Sequence, residues 1–280
     1  MKSVGYYNGE IAPLEELKVS ALDRGFYFGD GVYDVAFIHN RKPVALDDHL
    51  DRFFNSCRLV KINIDKSREE MTEILSSLVN YADKDIQDFI LYFQMTRGIA
   101  PRNHVFPENA KPSLFAYITP KTISDQSKRI KMITKEDIRF YMCNVKTICL
   151  MPNCIASEEA KEKGCYEAIL HRGETLTEGS HTSVAIVKDN ALIFPPLSNL
   201  LLPSITRKQL ISVCEKNGVK VVLRDININE VFDADEVLSL STTSVILAAE
   251  EIDGKKVGGK APEFVENLRK IYFDEYDMIG

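Results

Sequence analysis

Apolar runs of strand length and apolar repeats of helical spacing share this chain without a regular alternation, and that irregularity restricts its fold more than any other feature. "GVYDVAFIHNRKPVAL" (residues 31–46) reads as a strand, a turn at Asn40-Arg41-Lys42 and a returning strand. "DDHLDRFFNSCRLVKI" follows at once, with Leu50, Phe53, Phe54, Cys57 and Val60 spaced for one face of a helix. Ser67 and Glu70 make a capping-box signature ahead of Met71, Ile74, Leu75, Leu78 and Val79. "FILYFQMTRG" and "SLFAYITP" are strand-like, as are Ile130–Thr134, Cys165–His171 and Val184–Val187. One helix starts at Thr206 and is capped by Gly218; another runs from about Pro262. A parallel sheet with crossover helices would show a steady strand–helix beat. Its absence leads us to expect α+β architecture with mixed sheets. The polar, turn-rich "PKTISDQSKR" is the natural break, giving a small N-terminal domain over 1–119, a linker over 120–129 and a larger domain over 130–280.

Bulk properties exclude several classes of function. The formal net charge of −6 argues against a broad nucleic-acid-binding face. No apolar run has transmembrane length, and "MKSVGYYNGEIAP" lacks the apolar core of a signal peptide. Cys57, Cys143, Cys149, Cys154, Cys165 and Cys214 are scattered, with no C-x-x-C pair, so reduced and mostly buried thiols in a cytoplasmic protein are expected. "GKKVGGKA" (254–261) mimics a phosphate-binding P-loop, but Ala261 stands where a Ser or Thr would hold magnesium, and the run overlaps the hairpin signal "EEIDGK". "GDGVYD" precedes a strand and lacks dinucleotide spacing. The histidines form no zinc pattern, so no metal is expected, and no G-x-S-x-G elbow is present.

Lys146 is the one charge in the mostly apolar or uncharged "FYMCNVKTICLMPN" (140–153). A lysine there either snorkels to water or is held for chemistry, because stripping water from an ammonium is costly. Elsewhere Glu178 lies between a turn and a strand in "TLTEGSHTSVAIV", Ser204 and Thr206 open a helix in "LLPSITR", and "LSLSTTS" ends a strand in hydroxyls. Helix starts and hydroxyl turns bind phosphate, because backbone N–H groups converge there. A buried lysine, an isolated acid and two such turns are the parts needed to hold pyridoxal 5′-phosphate.

With these parts in view, the sequence resembles the class IV, fold-type IV pyridoxal-phosphate aminotransferases over nearly its whole length. "YYNGEI", "DRGFYFGDGVYD", "DHLDRF", "FQMTRGIAPRNHVFPEN", "EKGCYEAILHRGETLTEGS", "SITR" and "STTS" carry the resemblance. "EKGCYEAILHR" and the "TRG-x-x-PR-x-H" run bring it nearest to the D-amino acid aminotransferases. The resemblance implies a two-domain fold, a small α/β N-terminal domain beside a larger one of mixed strands and helices. It implies ping-pong transamination between a D-amino acid of the D-alanine or D-glutamate type and pyruvate or 2-oxoglutarate. By it, Lys146 forms the imine with the cofactor and Glu178 faces the pyridinium nitrogen. Arg52, Ile205, Thr206 and Thr242 hold the phosphate. Tyr33, with Arg102 and His104 reaching from the neighbouring subunit, traps the substrate α-carboxylate, which implies a homodimer with shared sites.

The chain departs from the family pattern at His181 and Ser183, at Cys149 where an asparagine is usual, and at Ser204, often glycine. These bear on side-chain specificity and cofactor tuning. Two relatives in the class are the alternatives: a branched-chain L-amino acid aminotransferase and aminodeoxychorismate lyase, both opposed by "PRNH". A non-catalytic cofactor-binding protein is opposed by the joint presence of Lys146, Glu178 and Arg52.

Overall fold

The computed structural model describes residues 1–276 and divides into two units, Met1–Thr122 with Val145–Cys149, and Ile123–Asn144 with the chain from Leu150 onward. In the first, β1 (Val4–Tyr7), β2 (Glu10–Pro13), β3 (Gly31–His39), β4 (Lys42–Pro43), β5 (Phe89–Thr96) and β6 (Ser113–Pro120) make a sheet in the order β2-β1-β6-β5-β3-β4. Every pairing in it is antiparallel. The β3–β4 turn forms where expected, with Asn40 and Arg41 both at positive φ, as a two-residue hairpin turn requires. The helices of this unit are α1 (Arg24–Phe28), α2 (Leu46–Leu59) and α3 (Arg68–Ser77). The Ser67–Glu70 capping box is present in both directions.

Strand alternation decides what each face of this sheet does. Phe89, Leu91, Phe93 and Met95 of β5 turn inward with Leu114, Ala116 and Ile118 of β6, and meet Leu50, Phe53 and Cys57 of α2. Truncating a fully buried ring such as Phe53 to Ala would cost about 3–5 kcal/mol. The other face carries Tyr92 stacked on Tyr117 (centroids 5.0 Å apart) and on Tyr33 (5.4 Å).

The second unit is built on β7 (Arg129–Glu136), β8 (Glu167–Arg172), β9 (Thr175–Gly179), β10 (Ser183–Lys188), β11 (Ala191–Phe194), β12 (Val221–Leu223), β13 (Glu236–Ser241), β14 (Val245–Ile252) and β15 (Lys255–Lys256). Their order is β12-β11-β10-β13-β14-β7-β8-β9, with β15 on β14. The β11–β12, β14–β7 and β7–β8 pairs are parallel and the others antiparallel, so the sheet is mixed and the architecture α+β. Helices α4 (Met151–Glu162), α5 (Ile205–Lys216), α6 (Glu230–Asp233) and α7 (Pro262–Tyr276) complete it. Small residues Ala156 and Ala160 let α4 approach Ile133, Ala168 and Leu170. The P-loop mimic is the β14–β15 hairpin, with Asp253 and Gly254 at positive φ.

All the cysteines are free, but Cys149 and Cys154 are exposed, against the expectation of mostly buried thiols. Among the described residues no helix is long and apolar enough to cross a membrane.

Gly98 closes β5 at φ +103°, and a Cβ there would lie 1.8 Å from the Lys111 carbonyl oxygen, whereas Gly9, at φ +104°, faces open space. Gly98→Ala should lower stability by about 3 kcal/mol or more, since backbone cannot yield as a side chain can. Gly9→Ala should cost about 1–2 kcal/mol for its backbone conformation alone. Urea unfolding compares the two; equal losses would show that the close approach at Gly98 is not what constrains the 98–111 loop.

Candidate active site

Residues 145–149 form no strand or helix of their own, and backbone bonds draw them onto β3. The Tyr33 N–H donates to the Lys146 carbonyl at 2.8 Å, and the Ile148 N–H to the Gly31 carbonyl at 3.1 Å. Val32 and Thr147 pair as an isolated antiparallel bridge, and the Lys146 N–H donates to Ser56 Oγ of α2 at 3.2 Å. The side chain therefore lies along the aromatic face and is half-buried, not fully sunk in the core. Its Nζ is 3.4 Å from Tyr33 Oη and 4.4 Å from the ring centroid. Its side-chain neighbours are this hydroxyl and this ring, and among the described residues it forms no ion pair with a carboxylate.

Arg52 lies on the buried side of α2. Its Nε and Nη2 donate to the two oxygens of Asp34 at 2.8 and 2.7 Å, a bidentate fork. His49 Nδ1, one helical turn earlier, is 2.8 Å from Asp34 Oδ1. Sequence reasoning singled out Arg52 and overlooked Asp34 and His49. The signal was an acid at an inward position of β3, fully buried between Val32 and Ala36, with His and Arg three apart on the facing helix. Burial pushes the Asp34 carboxyl up, but the Arg52 guanidinium and His49 outweigh it and hold it well below the usual carboxylate range. Burial lowers His49 below its ordinary value, against the pull of Asp34.

Arg102 and His104 sit on the exposed 98–111 loop of the same unit and approach one ring. Arg102 Cζ is 5.0 Å from the Phe28 centroid, and the His104 ring 5.1 Å. The structure thus brings together Lys146 with Tyr33, Arg52 with Asp34, and Arg102 with His104, all within the first unit.

The second unit gathers the remaining candidates. Glu178, expected between a turn and a strand, lies inside β9, next to its end. Its Oε1 accepts from Arg139 Nη1, and its Oε2 accepts from the Leu202 N–H at 3.1 Å. Arg139 is held in turn by Asp137, with Nε and Nη2 each 2.9 Å from a carboxylate oxygen. Burial opposes the charge on Arg139, but Asp137 and Glu178 outweigh it and raise its affinity for the proton. Neither Arg139 nor Asp137 was singled out in sequence; they reach Glu178 only through pairing across the sheet. The Leu202 contact ties Glu178 to the start of α5, where Ser204 caps the Arg207 N–H at 3.2 Å. The Ile205 and Thr206 amides precede the first intrahelical bond, Lys208 N–H to Ser204 carbonyl, and face outward along the helix axis for an anion. Thr206 is buried, with Tyr272 as a side-chain neighbour. Thr242 lies in a tight turn where Ser241 Oγ and Ser244 Oγ are 2.6 Å apart, braced by Gln126 on the Ser244 carbonyl at 2.9 Å. Within the second unit, two amides and two hydroxyl turns suit an anion such as a phosphate, and Glu178 is a carboxylate fixed near the start of the same helix.

A carboxyl depressed on folding contributes stability above its unfolded pKa, about 3.9, that is lost as pH falls. Asp34→Asn leaves the buried Arg52 without its countercharge and should cost about 3–5 kcal/mol at neutral pH. The variant should also lose stability less steeply than the parent below about pH 4. Urea unfolding across pH checks this; parallel acid slopes would remove Asp34 from the ionised cluster.

The family described as amino-transferase class IV matches residues 31–252. The D-alanine aminotransferase of Bacillus licheniformis is 34% identical over 258 residues, spanning 91% of this chain and 90% of that protein. The D-alanine aminotransferase of Listeria monocytogenes serotype 1/2a (strain 10403S) is 35% identical over 274 residues, spanning 96% and 94%. Among solved structures, the branched-chain aminotransferase of the thermophilic archaeon Thermoproteus uzoniensis, with norvaline, has a TM-score of 0.87 at 22% identity, covering 98% of this chain and 96% of that one. This last is a likeness of fold. Since the family match takes in most of the chain and the curated relatives align over nearly all of it, the chain belongs to the class IV aminotransferases, transaminases that depend on pyridoxal phosphate.

Proposed function

We propose that this enzyme transfers the amino group of a D-amino acid, of the D-alanine or D-glutamate type, to a 2-oxo acid such as pyruvate or 2-oxoglutarate. The observation that carries the reading is the pair Arg102 and His104, gathered over one ring on a loop that a glycine holds in place. The full-length likeness to D-alanine aminotransferases supports it.

Pyridoxal phosphate, when bound, supplies an electron sink for the substrate Cα. The chain's own groups do the rest. Arg52, the Ile205 and Thr206 amides and the Thr206 and Thr242 hydroxyls hold the phosphate. Glu178 would face the ring nitrogen, and Arg139 fixes the Glu178 carboxylate in place for that task. Lys146 would hold the aldehyde carbon of the cofactor, and its amine is the base that would move the α-proton of the substrate. Tyr33 Oη steadies that amine. Arg102, His104 and Tyr33 grip the α-carboxylate, so the side of Cα that meets Lys146 selects the enantiomer. Arg102 and His104 serve the site of the partner subunit in a homodimer. Exposed Phe26, Leu22, Ile99, Val105 and Phe106 of the first unit offer the apolar surface that such a dimer would cover.

Borohydride reduction of the purified yellow enzyme should fix the cofactor on Lys146, with peptide mapping as the check. Label on another lysine, or none, would sink the assignment.

A panel of D- and L-amino donors with 2-oxoglutarate should show D-alanine or D-glutamate preferred, and Arg102→Ala should raise KM for D-alanine at least tenfold, as loss of a charge-assisted bond of about 1.5–3 kcal/mol implies. Mixing Lys146→Ala chains with Arg102→Ala chains should restore about a quarter of the parent sites through random pairing. Preference for L-leucine or L-valine would replace the D-specific reading with a branched-chain one, and a mixture no better than its parts would mean self-contained sites.

A further inference from the structure

We propose that Phe28 is a positioning residue for substrate binding, a ring on which the carboxylate-gripping pair is assembled before substrate arrives. The inference rests on the reading of Arg102 and His104 given above and goes beyond it in naming what orients them. Besides its chain neighbour Tyr27, three side chains meet this one ring. Arg102 Cζ lies 5.0 Å from its centroid, Arg24 Cζ 4.7 Å, and the His104 ring 5.1 Å at 51°. A guanidinium within about 6 Å of an aromatic centroid is held by the negative face of the ring. Between the two gripping residues stands Asn103, and its carbonyl accepts from Arg24 Nη1 at 2.5 Å. The middle residue of the triplet is therefore clamped by its backbone while the residues on either side lean on the same ring.

The short helix that carries the ring is fixed at both ends. Asp23 caps α1 by accepting from the Gly25 N–H at 2.8 Å, and also accepts from Thr96 Oγ1 at 2.9 Å. Gly29 ends the helix in the left-handed region at φ +63°. Arg24 is fixed from behind, its Nε donating to Asp30 at 2.7 Å, and Asp30 also binds Arg97. Burial alone would raise the Asp30 carboxyl; Arg97 and Arg24 reverse that and keep it ionised. Arg102 is exposed, and an exposed arginine loses much rotamer freedom when it grips a ligand. A ring that already restrains it removes part of that cost. The expected effect falls on binding of the carboxylate, not on the proton transfer at Lys146.

The test uses the holoenzyme and two probes: D-alanine as substrate, and propionate, a carboxylate with no amino or oxo group. Phe28→Leu keeps bulk and removes the π face. It should raise KM for D-alanine and the calorimetric Kd for propionate about tenfold each, with kcat within about twofold. Phe28→Tyr, which keeps the face, should restore both constants to within about twofold. Unchanged propionate binding in the Leu variant overturns the proposal, as does a kcat that falls as far as KM rises, or failure of Tyr to rescue. Arg102→Ala in the same assay separates the two levels. If it leaves propionate binding intact, the reading of Arg102 itself fails; if it weakens binding and Phe28→Leu does not, only the role of Phe28 fails. Should the Leu variant not fold, Arg24→Lys, which keeps the charge but loses the Asn103 clamp, should raise the propionate Kd roughly threefold, and an unchanged Kd there overturns the proposal equally.

Discussion

The hydrogen bond from the Tyr33 N–H to the Lys146 carbonyl fixes where this lysine stands in the first unit. It belongs to a short set of backbone contacts that lay residues 145–149 along β3, far away in sequence. A lysine on a free loop would snorkel into water and lose its geometry. Here the backbone on both sides of Lys146 is fixed, and only the side chain remains to move. Its amine then meets a tyrosine hydroxyl and a ring face, neither of which neutralises it. A carboxylate in the same place would hold the amine protonated and idle, because an adjacent opposite charge favours the ionised form.

Arg52 and Glu178, two of the charged groups with a proposed task, are each gripped by a partner of opposite charge that is given no contact with cofactor or substrate. Asp34 forks onto Arg52, Asp137 onto Arg139, and Arg139 in turn holds Glu178. Buried pairs of this kind add little net stability, since desolvation offsets most of the attraction. What they secure is direction. Arg52 cannot turn without breaking its fork to Asp34, and Glu178 cannot rotate without breaking its bond to the Leu202 amide. The supporting acids lie deeper than the groups they serve, with Asp34 fully buried, so solvent does not loosen them.

Local structure was legible in the sequence where local chemistry decides it. The Asn40-Arg41 turn, the Ser67–Glu70 box, the Ser204 start of α5 and the Asp253-Gly254 hairpin all follow from residues within four positions of one another. Lys146 stood out by charge, yet its environment could not be read, because it is set by β3, more than a hundred residues earlier. The stacked Tyr33, Tyr92 and Tyr117 were invisible for a similar reason: alternation says that they share a face, but only strand register makes them neighbours. Glu178 reads as lying between a turn and a strand because glycine and serine follow it, while pairing of β9 with β8 draws it into the sheet. Asp34 is readable in principle as a charge at an inward strand position, but its partners His49 and Arg52 lie on a helix whose docking against β3 strand alternation does not give.

Fold and specificity part company at the 98–111 loop. A solved branched-chain enzyme shares this fold across nearly the whole chain at only 22% identity, so the scaffold cannot say which amino acid is used. The scaffold does fix where specificity can be written. Gly98 turns the chain out of β5 at a φ that a side chain would resist, and Arg24 and Arg97 brace the exit from beneath, Arg97 against Asp30 and the Phe106 ring. A loop fixed at its root and exposed at its tip can exchange the residues at 102 and 104 without disturbing the sheet. Transamination itself asks only for the lysine, the acid and the phosphate contacts. On the proposed reading, the choice between enantiomers is a matter of where the carboxylate is anchored, and Arg102 and His104 would carry that anchor on an exposed loop of the first unit.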